Sequence, residues 1–144
     1  MNHKMSQADR QYVDDFLHSR IDAGLFRHRE HVKIAYCLLT TMDANAVWLT
    51  IRQSLLALLT AVGADKTKYH ETLTRAWVLA IDHFMRSTER CNSADEFIER
   101  NPLLLDQGIM LSHYSKQLLE SETARTEFVD PDLEPIPRYR SKLA

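Results

Sequence analysis

The feature that most limits what this chain can fold into is the spacing of its apolar residues. They recur every three or four positions over long stretches. In the longest of these, His70, Leu73, Thr74, Trp77, Ile81 and Phe84 share one helical face. Val47, Ile51, Leu55 and Leu58 repeat the pattern, with Trp48, Leu56 and Leu59 broadening the face. No stretch alternates apolar and polar residues as a half-buried strand would. Only 3 Gly and 4 Pro stand in 144 residues, so little interrupts helices. The sequence predicts an all-α fold: one domain over 1–144, a bundle of four main helices with short additional helices and a proline-rich C-terminal tail.

Capping residues set the expected boundaries. Ser6 starts a first helix that runs to about Arg20, with Tyr12, Val13, Phe16 and Leu17 facing inward. After the break at Gly24, a second helix runs from about Arg29 to Met42 and puts His31, Ala35 and Leu38 on one face. Asp43 caps a third, ending at Gly63, and the fourth spans about Thr67 to Arg86. Ser93 and Glu96 form a capping box for a short helix that stops before Pro102. A further helix is expected from about Gln107 to Leu119, and Ser121 caps a last one through Phe128. Three prolines then keep Val129–Pro137 irregular, a surface tail pinned by Leu133 and Ile136. Residues 1–5 and 138–144 are expected to fray.

The formal charge of -2 and the lack of a basic stripe argue against nucleic acid as a partner. Cys37 and Cys91 form no disulfide framework and no Cys-x-x-Cys motif, which suits a reducing cytoplasm. No apolar run approaches the roughly 20 residues of a membrane span, so no membrane partner is expected. The partner expected is a small-molecule ligand or substrate; a second copy of the chain, meeting through the Leu- and Val-rich third helix, belongs to the non-catalytic alternative given below.

Candidate chemistry rests on histidines. His28 and His31 are about one turn apart, close enough to share a metal, and His70 extends an otherwise apolar face, where an imidazole needs a partner. His113 sits among Ile109, Met110, Leu111, Leu118 and Leu119. Four imidazoles around one point would suit a transition metal such as zinc, iron or copper. Neighbouring helical residues diverge by about 100°, so Glu71 is not a ligand beside His70. It is the candidate catalytic group, orienting a ligand imidazole or taking a proton from metal-bound water. Tyr69, Thr74, Trp77 and Tyr114 are the expected pocket walls. For each histidine the competing reading is a side chain satisfied by an ordinary hydrogen bond, and for Glu71 a charge that complements a helix N-terminus.

The strings Phe26-Arg-His28-Arg-Glu-His31-Val32, Tyr69-His70-Glu71-Thr72-Leu73-Thr74 and His113-Tyr114-Ser115, followed by Asp130-Pro131-Asp132-Leu133-Glu-Pro135-Ile-Pro137, resemble in order a group of small uncharacterised bacterial helical proteins. The likeness runs from Leu25 to Pro137. It implies a shared domain that includes the tail, and it nominates His28, His31, His70, Glu71 and His113. The functional expectation is a small cytosolic protein with a His-rich polar pocket, a metal-binding enzyme acting on a small molecule. The alternative is a non-catalytic helical binding or interaction module, a homodimer with hydrogen-bonded histidines.

Overall fold

The computed structural model describes residues 2–139. Side-chain caps open most of its helices. The Ser6 hydroxyl accepts the Asp9 N–H and the Asp9 carboxylate accepts the Ser6 N–H, which starts α1 (Gln7–Leu17). Next come α2 (His28–Leu39) and α3 (Ala44–Ala61), the latter capped by Asp43. After α4 (Glu71–Arg86), capped by His70, Ser93 caps α5 (Ala94–Arg100). Ser115 caps α6 (Lys116–Glu120) and Ser121 caps α7 (Glu122–Thr126). With four short 3-10 turns between them, these elements make an all-α fold without strands among the described residues. No helix there is long and apolar enough to cross a membrane.

The core forms around α2, which packs against α1, α3, α4 and α5. Val32 and the run Ile34–Leu38 are buried on every side of α2, the pattern of a central helix. Ala76–Ile81 of α4, Val47 and Ile51 of α3, and Phe97 and Ile98 of α5 complete it. Each large apolar side chain so buried contributes about 1.5–3 kcal/mol. Tyr36 stacks on Phe97 at 4.8 Å between centroids and donates its hydroxyl to the Lys4 carbonyl.

Several expectations are corrected. Of residues 1–5, Met1 lies outside the described residues, and His3 and Lys4 are tied to the core: His3 donates from Nε2 to the Met85 carbonyl and accepts the Cys91 N–H at Nδ1, and Lys4 N–H reaches the Cys91 carbonyl. The fourth helix begins at Glu71 and not near Thr67, because Asp65 accepts the Thr67 N–H and turns Lys66–Lys68 into a 3-10 segment. The helix expected over 107–119 is two pieces, a 3-10 turn Gln107–Ser112 and α6. A continuous helix would have used the Ser112 and His113 carbonyls for N–H groups four residues on. The tail takes them instead, through Glu134 N–H and Leu133 N–H.

That tail is a strap. Thr72 donates to the Glu127 carbonyl and accepts the Val129 N–H, and the Tyr114 hydroxyl donates to the Val129 carbonyl. Arg75 lies between the rings of Trp48 and Phe128, 4.7 and 4.5 Å from their centroids. Ile136 is 7% exposed and pins the strap, whereas Leu133 is 52% exposed and does not. Arg138 pairs with Asp130, and the Tyr139 ring lies under Arg86. Residues 140–144, part of the end expected to fray, lie outside the described residues.

Candidate functional site

Tyr69-His70-Glu71 stands where the chain turns from extended backbone into α4, and its side chains part company. His70 has φ −119° and ψ 109°, an extended N-cap conformation. Its Nδ1 accepts the Leu73 N–H at 3.1 Å, which leaves the proton on Nε2 to be donated to the Leu119 carbonyl at 2.8 Å. Both nitrogens are engaged, so in this arrangement the ring has no lone pair to offer a metal. Burial holds its pKa below the usual histidine value, against the pull of the Leu119 carbonyl.

Glu71, one residue on, points into a different environment. It is 4% exposed. Its Oε1 accepts from the Trp48 indole N–H at 2.7 Å and from the Tyr69 hydroxyl at 2.8 Å, and its Oε2 lies 3.4 Å from Arg52 Nε. This is a buried carboxylate answered by three donors, tying α3 to α4. It faces a cavity of about 460 Å³ shared with Arg52, Lys66, Glu122 and Arg125. The histidines do not line that cavity. Burial, and then the bond to Glu71, hold the Tyr69 hydroxyl protonated well above its usual range.

On the other side of Tyr69 lies a cavity of about 370 Å³. Here the first turns of α2 and α4 face each other: His28 and His31 come from one, His70 and Thr74 from the other, and Tyr69 and Trp77 complete that wall. Leu55, Leu58 and Leu59 of α3 form an apolar side, and Phe26, Lys68 and Gln107 close the rim. His28 stands edge-on to Trp77 with centroids 4.4 Å apart and donates from Nε2 to the Leu104 carbonyl at 2.7 Å. Its remaining nitrogen, Nδ1, has no hydrogen-bond partner among the described residues.

His31 is the exception among these histidines. Its Nε2 is closed off from solvent and is, among the described residues, the one buried side-chain nitrogen or oxygen without a hydrogen-bond partner. Burial, and then the neighbouring His28, lower its pKa to about 4, so at neutral pH the imidazole is uncharged. An orphaned polar atom of this kind typically costs about 1–3 kcal/mol, and a native site that keeps one calls for an explanation.

His113 and Tyr114 belong elsewhere. His113 Nδ1 donates to the Glu134 carbonyl at 2.7 Å, holding the strap. The Tyr114 ring is fully buried, its hydroxyl is committed to Val129, and burial pushes its pKa up to about 12. The four imidazoles expected around one metal therefore do not converge, and Glu71 faces away from the three that do. Among the described residues no group of three or more His, Cys, Asp or Glu side chains is arranged to hold a metal ion. Tyr69, Thr74 and Trp77 line the histidine cavity, and Tyr114 does not.

Sequence reasoning missed Gln107, Lys68 and the Trp48–Glu71 bond. No periodicity marks a residue that reaches a cavity from a turn. Trp48 was legible as an apolar residue of α3, but nothing in its spacing says which carboxylate its N–H meets. No protein-family model matches the chain, and neither a curated protein nor a solved structure matches it.

Proposed function

We propose that the chain is a small-molecule-binding protein whose ligand occupies the cavity between the first turns of α2 and α4 and, by displacing the atoms that cover it, hydrogen-bonds His31 Nε2. The observation that supports this reading is that His31, whose buried Nε2 has no hydrogen-bond partner, lines a cavity with an apolar side of Leu55, Leu58, Leu59, Phe26 and Trp77 and a polar side of His28, His70 and Thr74. Such a pocket accepts an apolar body and fixes its orientation through one or two polar groups. An imidazole that stays neutral down to about pH 4 is a weak base for proton transfer at neutral pH, so recognition fits it better than acid–base catalysis. The frame of this reading is a cytoplasmic, single-domain bundle of the four longer helices under a proline-rich strap.

A second reading keeps a metal ion at the same place. It is favoured by one observation: His31 Nε2 and His28 Nδ1, one turn apart, are free of protein partners among the described residues. Substrate or water would have to supply the remaining ligands of zinc, iron or copper.

Calorimetric titration with 1-octanol and with indole tests the binding reading, using the wild type, His31→Leu and the cavity-filling Leu55→Trp. Binding at least tenfold weaker in His31→Leu and abolished in Leu55→Trp is expected. Binding unchanged in both variants, or absent from the wild type, contradicts it. Elemental analysis of the untagged wild type decides the second reading: metal near one equivalent, lost in His31→Leu, supports it, and metal-free protein after reconstitution with zinc, iron and copper ends it.

A further inference from the structure

The charges around the histidine cavity are one-sided. Arg27 lies at its mouth on the α2 side and Lys68 on the α4 side, and no Asp or Glu lines it. Neither cation forms an ion pair among the described residues. The remaining titratable residues lining it are His28, His31, His70 and Tyr69, the hydroxyl of the last being given to Glu71; α3 contributes only leucines. The nearby carboxylates are engaged elsewhere. Glu30 accepts the Arg27 N–H and lies near Tyr12 on α1, Asp65 caps Thr67 and lies near Lys68, and Glu71 faces the other cavity.

Backbone fields add to this. The N-termini of α2 and α4, helices of 12 and 16 residues, both meet the cavity wall. Each carries a partial positive charge. His70 caps α4, whereas Arg27, the N-cap of α2, makes no side-chain cap bond. These fields would not by themselves define a site. Together with His31, which lines the same cavity and whose covered Nε2 has no partner, they say which sign of charge the cavity favours.

We infer that the ligand is a small organic acid with an apolar body, its carboxylate meeting His31 Nε2 within the field of Arg27 and Lys68 while its hydrocarbon part lies against Leu55, Leu58 and Trp77. This rests on the reading of the cavity as a ligand site and adds the ligand's charge to it. A carboxylate arriving ionised at pH 7 accepts a hydrogen bond from Nε2–H. It also favours the protonated ring, so a proton enters from solvent, up to one per ligand bound, and the buried pair carries no net charge. The apolar surroundings that keep the free imidazole neutral make that coupling strong, because unpaired charge there is poorly solvated.

The test is calorimetry at pH 7 with octanoate and 1-octanol, equal in chain length and different in charge, in two buffers of different ionisation enthalpy. Octanoate is expected to bind wild type at least tenfold more tightly than 1-octanol, with proton uptake visible as a buffer-dependent enthalpy. In Arg27→Gln/Lys68→Gln the preference should fall below about threefold, a loss of roughly 0.7 kcal/mol or more. The 1-octanol affinity of that variant should hold, which shows the cavity intact. His31→Leu should lose the proton uptake. Equal affinity for both probes, or tighter 1-octanol binding, overturns the inference and leaves the ligand site standing. Octanoate preference unchanged in both variants also overturns it. Failure of both probes to bind removes the ligand site and the inference together.

Discussion

His70 and His31 stand in the first turns of neighbouring helices, line the same cavity, and have opposite hydrogen-bond accounts. His70 spends both nitrogens on the protein, one capping α4 and one holding the Leu119 carbonyl. His31 has a buried nitrogen that the protein does not satisfy. The first is a structural part, and its loss should be felt in stability. The second is a cost the fold carries, and its loss should be felt in binding. Residue type and burial alone would have treated them alike; partner by partner they separate.

The comparison breaks most forcefully next door, at Glu71. Glu71→Ala strands the Trp48 N–H and the Tyr69 hydroxyl inside the protein, and a destabilisation of about 2–3 kcal/mol is expected from chemical denaturation, with binding in the histidine cavity retained. An equal loss of binding in a variant still folded would show that the two cavities act as one.

Acidification sharpens it next. The pKa of His31 is about 4 folded and near 6.5 unfolded, so between those values the unfolded chain binds more protons. The cost to the fold is absent above pH 6.5 and grows as pH falls toward 4. On the order of 2–3 kcal/mol is lost across that window. The depressed pKa of His70 acts in the same direction. His31→Leu should flatten that part of the profile, and a profile as steep as wild type would contradict the depressed pKa of His31.

A smaller effect is expected from His70→Ala. The cap and the bond to Leu119 are each worth about 1 kcal/mol, so a loss of about 2 kcal/mol should appear in thermal or urea unfolding. The smallest belongs to His113→Ala, which removes one bond to the strap at Glu134; it should cost about 1 kcal/mol or less and leave ligand affinity unchanged. A change in affinity there would join the strap to the cavity.

The parts of the fold legible in the sequence were those governed by local chemistry. Ser6, Asp43, Ser93 and Ser121 cap helices where a hydroxyl or carboxylate stands before an apolar repeat. What escaped depended on distant partners. The helix expected through His113 is interrupted by a strap that approaches from residues 133 and 134. His3, at a terminus with no periodicity of its own, is buried between Met85 and Cys91. At the site, Glu71 and His70 do enter separate cavities, but not through the helical spacing expected of them: His70 is an extended N-cap outside α4. Spacing could not show that the nitrogens of His70 are consumed while that of His31 is left over, because the partner carbonyl of Leu119 comes from 49 residues along the chain.

Unfolding free energies of His31→Leu and His70→Ala, measured side by side with wild type at pH 7 without ligand, test the distinction most directly. His70→Ala should be less stable by about 2 kcal/mol, and His31→Leu at least as stable as wild type, because an orphaned polar atom gives way to an apolar one of similar bulk. Equal destabilisation of both variants would mean that His31 is as fully bonded as His70, and the case for a ligand on its Nε2 would fall.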